Sequence, residues 1–234
     1  GQRQHSRPGG PQGGLVRSVW RSLWLAGVVL AQLAAAEAAE PDLAYAAYQT
    51  GHYRRAQLQA LKRIEADNPD AAAMTLLGEI YRLGLGVAPN ARTATEWYQR
   101  AAERGDVNAI YAWAMALLDP RNGTPDPARA GTLLERAAAA GHPAANYNLA
   151  LALLGTGLPN DDFRAVSSLE IAAKAGIGDA MHALGTLARQ GRGMAQSDTL
   201  AAEWMAKAAE AGNVPGMIES AIMLFNGMSV AADE

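Results

Sequence analysis

Apolar residues fall on a helical period through most of the chain. Ala73, Leu77, Ile80 and Tyr81 stand at i, i+4, i+7 and i+8, which places them on one face of an α-helix. Gly84 and Gly86 follow and break it, because glycine enters the left-handed backbone region that a tight reversal needs. A second periodic stretch, from about Thr93 to Glu103, puts Ala94, Tyr98, Ala101 and Ala102 on a buried stripe, and Gly105 closes it. The pattern then starts again. The segments RAAERG, RAAAAG, IAAKAG and KAAEAG end at Gly105, Gly141, Gly176 and Gly212, spaced by 36, 35 and 36 residues. The paired alanines Ala101 and Ala102, Ala137 and Ala138, Ala172 and Ala173, Ala208 and Ala209 keep the same step, and both members of each pair are expected at the helix crossing. The small residues Ala73, Ala109, Ala145, Ala180 and Gly216 near the start of each first helix keep it too. A third mark, Gly84-x-Gly86-Val87, returns as Gly155-x-Gly157-Leu158, as Gly191-x-Gly193-Met194 and in weakened form as Gly227-x-Ser229-Val230. Three marks in one register predict an array of helix-turn-helix units with no sheet.

The register divides the chain into a helical pair over 39–70, four units over 71–106, 107–142, 143–177 and 178–213, and the first helix of a fifth over 214–234. Glu234 falls where the second helix of that unit would start, so the repeats are expected to continue beyond it. Unit two replaces the double glycine with DPRNGTPDP, where Asp126 is expected to cap and Pro127 to open the next helix. Asp161 and Asp162 are expected to act likewise, as negative charges at a helix N-terminus. A helix of about 12 residues is marginal alone and must bury its stripe against a partner and against the next unit. Alanine pairs let helix axes approach to about 8 Å, where larger side chains would hold them apart. Leu77, Trp113, Leu149 and Leu184 share one slot between helices, which makes Trp113 a core residue.

Composition narrows the function. The aromatic content of 6% and the abundance of alanine suit closely packed helices. With a formal charge of −3 and scattered basic residues there is no electrostatic footprint for nucleic acid. Cysteine is absent, which removes disulfides, zinc–thiolate sites and thiol nucleophiles. Residues 1–14 read as an extension outside the fold. Arg17 and Arg21 then precede an uncharged run from Leu23 to Ala36 that ends in small-x-small cleavage options, the pattern of a secretory signal. As a helix this run would span only about 21 Å, short of a hydrocarbon core of about 30 Å, which argues against a retained anchor. Removal of residues 1–38 takes away four Arg and Glu37 and leaves a net charge of about −6, which disfavours docking on anionic lipid.

The run from Met74 to Gly105 closely resembles the Sel1-like repeat, a relative of the tetratricopeptide repeat. Ala73, Leu77, Gly78, Tyr81, Gly84, Gly86, Val87, Ala94, Trp97, Tyr98, Ala101, Ala102 and Gly105 fill its pattern. Unit two departs most, with Ala114 in place of the Gly and Leu117 in place of the Tyr. The whole arrangement is similar to exported Sel1 proteins of alphaproteobacteria. The resemblance implies an all-α, right-handed α-solenoid that serves as a non-enzymatic protein-interaction scaffold, periplasmic or secreted, with first helices lining the binding wall. By the same analogy its role is control of an envelope signalling or exopolysaccharide system. The alternative is a structural envelope protein that assists cell-wall or polysaccharide machinery.

On that wall the column Thr75, Tyr111, Tyr147, His182, Ile218 and its neighbour Met74, Ile110, Asn146, Met181, Met217 present aromatic and thioether side chains at equivalent positions. Tyr111, Tyr147, His182, Met74 and Met181 are the candidate partner-binding residues. Packing between units is the competing reading of both columns. No nucleophile–base constellation, metal-ligand spacing or phosphate loop occurs, so no catalytic, metal or cofactor site is expected. The histidines His5, His52, His142 and His182 are dispersed. The Gly84-x-Gly86 turn has no preceding strand and recurs with the period.

Overall fold

The computed structural model describes residues 42–65 and 69–225. Among these, eleven α-helices follow one another without a strand. Helices α1 (Leu43–Gln49) and α2 (Tyr53–Glu65) form the N-terminal pair. Then α3 (Ala71–Leu83) packs on α4 (Ala91–Glu103), α5 (Val107–Leu118) on α6 (Pro127–Ala139), α7 (Pro143–Gly155) on α8 (Pro159–Lys174), and α9 (Gly178–Gln190) on α10 (Asp198–Glu210). Helix α11 (Val214–Phe225) packs on α10. Each helix contacts chiefly its neighbours in sequence, so the chain is an α-solenoid. The N-terminal segment and the turn at 227–229 lie outside the described residues.

Helix ends are specified locally. Side chains of Asp70, Asn90, Asp106, Asp126, His142, Ser197 and Asn213 accept hydrogen bonds from backbone N–H groups of the helices they precede. At the other ends Gly105, Gly141, Gly176 and Gly212 all take φ between +81° and +89°. The residue after each donates its N–H to a carbonyl five residues back, as from Asp106 to Ala101 and from Asn213 to Ala208. This is the Schellman closure, and it needs glycine for its backbone angle alone, since a Cβ at these four positions would meet nothing within 4 Å.

The paired alanines belong to the same closure. The first members, Ala101, Ala137, Ala172 and Ala208, are fully buried, and their carbonyls accept the N–H of the residue after the glycine. The second members, Ala102, Ala138, Ala173 and Ala209, accept the N–H of the glycine itself, Gly176 donating to Ala173 at 2.9 Å. Ala102, Ala138 and Ala173 are buried too, Ala173 in the core of units three and four, whereas Ala209 is half-buried at the end of the described stack.

Between paired helices the fit is one of complementary sizes. Tyr98 of α4 lies across Gly78 of α3, where a Cβ would come within 2.3 Å of the ring. Met205 of α10 lies across Gly185 of α9, its terminal methyl 2.9 Å from the same virtual atom. At the equivalent positions Ala114 matches Leu134 and Ala150 matches Leu169, all buried. The Ala114 departure in unit two therefore has a physical reason: a smaller partner leaves room for a methyl. Trp113 is buried in the core as expected, with the Arg129 guanidinium 4.5 Å over its ring.

The turns hold one correction. Gly84, Gly86, Gly191 and Gly193 all take positive φ, but Gly155 is the last residue of α7 and only Gly157 turns left-handed. The reason is that α8 begins a turn early, at Pro159, and leaves a short connection. Asp161 and Asp162 both lie in the first turn of α8, as expected for negative charges there, but neither makes a capping bond. The residue before α8 is Leu158, which makes no capping bond, while Asp162 lies inside the first turn, 8% exposed, and takes a two-pronged bond from Arg192 at 2.6 and 2.8 Å. The same guanidinium reaches the Leu154 carbonyl at 2.6 Å, so one side chain from the turn of unit four holds both helices of unit three. Arg63 plays a comparable part at the other end, bonding Asp42 before α1 and Asp70 before α3.

Unit two reaches the same end by different chemistry. Its turn contains a short 3₁₀ helix (Pro120–Asn122), yet Asp126 donates its N–H to the Leu117 carbonyl at 2.9 Å. Asn90 to Tyr81 and Ser197 to Ala188 are the same nine-residue bond in units one and four.

The size matching predicts different responses to one substitution. Gly78→Ala forces Tyr98 off its seat and should lower stability by about 1–2 kcal/mol, overpacking exceeding the gain in helix propensity. Gly185→Ala meets chiefly the flexible end of Met205, with the Ala201 carbonyl 3.2 Å away, and should cost less than Gly78→Ala, about 1 kcal/mol or below. Equal denaturation midpoints for the two variants would contradict the matching. Asp162→Ala removes a buried carboxylate and its two-pronged bond from Arg192 and should lower the urea midpoint clearly more than Asp161→Ala does.

Candidate functional site

A groove of about 1010 Å³ lies across units one and two, walled by α3, α4, α5, the 3₁₀ turn and His142. Its apolar floor is made by Tyr111, Met115 and the α4 alanines. Polar groups along it include Thr75, Asn108 and Asn122. A smaller cavity of about 210 Å³ adjoins it, sharing Thr75, Glu79 and Asn108 and reaching Tyr45 and Tyr48 of α1.

The wall is shaped by bonds that each follow from sequence. Tyr98 donates its hydroxyl to Glu79 at 2.6 Å, and Arg82 bonds the same carboxylate at 2.6 Å. Burial and the Glu79 carboxylate raise the Tyr98 phenol far above its ordinary range, so it stays a donor. On the opposite rim Arg121 binds Asp119 with Nε and Nη2. The charged groups of the groove are thus joined in pairs. Tyr111 stacks on the His142 ring, centroids 4.5 Å apart and planes 22° from parallel, and its hydroxyl accepts a bond from Asn148 of unit three at 3.1 Å.

The candidate partner-binding residues do not form one site. Tyr111 lines the groove and is half-buried. Tyr147 and Met181 are half-buried against the core of units three and four. His182 approaches Glu219 at 3.2 Å, in a cluster with Arg189 that ties α9 to α11. Met74 is 3% exposed and belongs to the core shared by units one and two, which removes it from the wall. Ile110 and Asn146 in the same column are buried too, and the Asn146 amide donates to the Ala138 and His142 carbonyls. Met74, Ile110 and Asn146 are thus inter-repeat packing, because a position one residue earlier on the helix turns about 100° toward the neighbouring unit, whereas Met217 on the last described helix is 47% exposed.

The column four residues after Tyr111 carries the exposed apolar surface instead. It reads Glu79, Met115, Leu151, Thr186, Ile222, with Met115 and Leu151 at 36% and 45% exposure. The i+4 relation to the tyrosine column was the available signal for these two. His142 also enters the site, as the N-cap of α7. Among the described residues no cluster of three or more His, Asp or Glu is arranged to hold a metal ion, and no helix is long and apolar enough to cross a membrane.

Comparison with known proteins agrees with this architecture. The Sel1 repeat family matches residues 71–106, 107–142, 143–177 and 178–213. Among solved structures, the protective antigen c5321 of uropathogenic Escherichia coli, which displays an SLR fold, is 28% identical, with a TM-score of 0.66 over 73% of this chain. The match covers 36% of that antigen, so this chain spans about a third of it. A Sel1 repeat protein from Oxalobacter formigenes is 22% identical with a TM-score of 0.68, over 79% of this chain and 74% of that one. A Klebsiella pneumoniae protein described as a Sel1 repeat protein is 24% identical with a TM-score of 0.50, over 77% and 89%. No protein of curated function matches the sequence. Four consecutive family matches, coincident with four helix pairs closed by the same glycine turn, establish that the chain belongs to the Sel1 repeat family.

Proposed function

We propose that this protein is a non-enzymatic adaptor of the bacterial envelope that takes a segment of a partner protein into the groove between units one and two. Sel1 repeat proteins are generally protein-interaction scaffolds. The observation that carries the specific reading is the groove itself, with Tyr111 and Met115 on its floor and Leu151 extending the apolar column into unit three. Because Glu79, Arg82, Asp119 and Arg121 are already paired, recognition rests on apolar contact and hydrogen bonding. Tyrosine and methionine suit that task, one rigid and amphipathic, the other adaptable. Export to the periplasm or beyond is supported by the Arg-flanked apolar run from Leu23 to Ala36 and its alanine-rich end. Control of a signalling or exopolysaccharide system is the specific role that family analogy suggests.

Affinity capture from envelope extracts tests the adaptor reading: a discrete stoichiometric partner supports it, and pelleting with the cell wall supports a structural envelope protein. In that assay Met115→Glu with Leu151→Glu should weaken capture at least tenfold, about 1.4 kcal/mol, while the melting temperature stays close to that of the parent. Undiminished capture would remove this surface from the binding role. For export, N-terminal sequencing of the protein from cells should find a mature start near Ala39. A membrane-bound product that keeps residues 15–36 would overturn it.

A further inference from the structure

His142 occupies a position that no other histidine in the described chain shares. Its backbone joins α6 to α7, donating its N–H to the Ala137 carbonyl at 3.0 Å and receiving the Asn146 N–H at 3.0 Å. Its ring performs two tasks at once. Nδ1 accepts the Ala145 N–H at 3.2 Å as the N-cap of α7, and the ring plane lies against Tyr111 on the groove wall. An Nδ1 that accepts from an amide is unprotonated, so the neutral ring carries its proton on Nε2.

We propose that His142 makes the joint between units two and three acid-sensitive: its protonation breaks the Nδ1 cap of α7 and so loosens the groove wall that the ring forms. The regulatory consequence rests on the groove being the binding site, whereas the protonation step does not.

The chemistry around the ring decides the direction. A proton on Nδ1 would face the Ala145 N–H, two donors in opposition, at the positive end of a helix dipole. Burial holds the imidazole below its ordinary value, against a weaker pull from the Asp106 carboxylate, which caps α5 through the Ala109 N–H at 2.7 Å. Tyr111 is the other ionisable group against it. On α6, Arg136 is bonded to the Ala102 carbonyl, and α7 itself carries no charged side chain. The remaining groove charges, Glu79, Arg82, Asp119 and Arg121, are paired with one another. A group whose folded value is depressed contributes stability that is complete above its unfolded value, about 6.5 for histidine, and is lost as pH falls through the folded value. The joint is therefore firm at neutral pH and weakens in acid.

The test uses the whole chain and needs no partner. The His142 Cε1–H resonance, assigned by its disappearance in His142→Asn, should titrate with a midpoint below about 6.5, and the Ala145 amide should lose exchange protection on the acid limb. His142→Asn keeps a capping oxygen that does not titrate, and its melting temperature should fall by at least about 2 °C less than that of the parent between pH 7.5 and 5. His142→Ser supplies the same cap should Asn fold poorly. A His142 midpoint at or above 6.5, or an identical pH dependence in parent and variant, would refute the joint. If His142 titrates as described but Met115→Glu with Leu151→Glu leaves capture intact, the joint stands and the groove loses its binding role.

Discussion

The contact of a small residue on one helix with a larger one on its partner is the constraint from which the rest of the structure follows. Helices of about 13 residues hold little intrinsic stability, so each must come close enough to its partner to exclude water along a narrow stripe. Gly78 under Tyr98, Gly185 under Met205 and the alanine–leucine pairs between them reach that closeness with different side chains. A small residue on one helix is met by a larger one on the other, which keeps the interface filled.

The groove arises where this regularity is relaxed. Units one and four fold their glycine turns back on the preceding unit, Gly86 against Tyr53 and Gly193 against the Asp162 carbonyl. In unit two the Asp119–Asn122 segment stands at the edge of the α3–α5 face instead and becomes a wall. The charged side chains of that wall are paired with one another, and Tyr111 and Met115 supply its uncharged surface.

Much of this was legible along the chain, and the physical reason is locality. Glycine closures and alanine pairs depend on residues within one turn of each other, so the 36-residue step exposed them. What the step did not reveal is the division of labour inside a pair such as Ala172 and Ala173, whose carbonyls close two different bonds of one turn. The other outcomes that sequence reading missed depend on the neighbouring unit. The place of Asp162 in a first helical turn was legible; its partner Arg192, 30 residues away, was not. Met74 and Tyr111 stood in adjacent columns of equal standing, and only the direction of stacking buries the first and leaves the second on the groove. Met115 and Leu151 could have been found by following the tyrosine column one helical turn onward.

The nine-residue backbone bond from Asn90, Asp126 and Ser197 has an evolutionary consequence. It re-anchors the chain after the turn, so turns of different composition lead into the same helix start, while single side chains such as Arg192 still reach the preceding unit. Unit two shows how far that freedom extends, from two left-handed glycines to a proline-led 3₁₀ helix with its own ion pair. A solenoid built this way can vary one connection at a time while the helix that follows keeps its anchor.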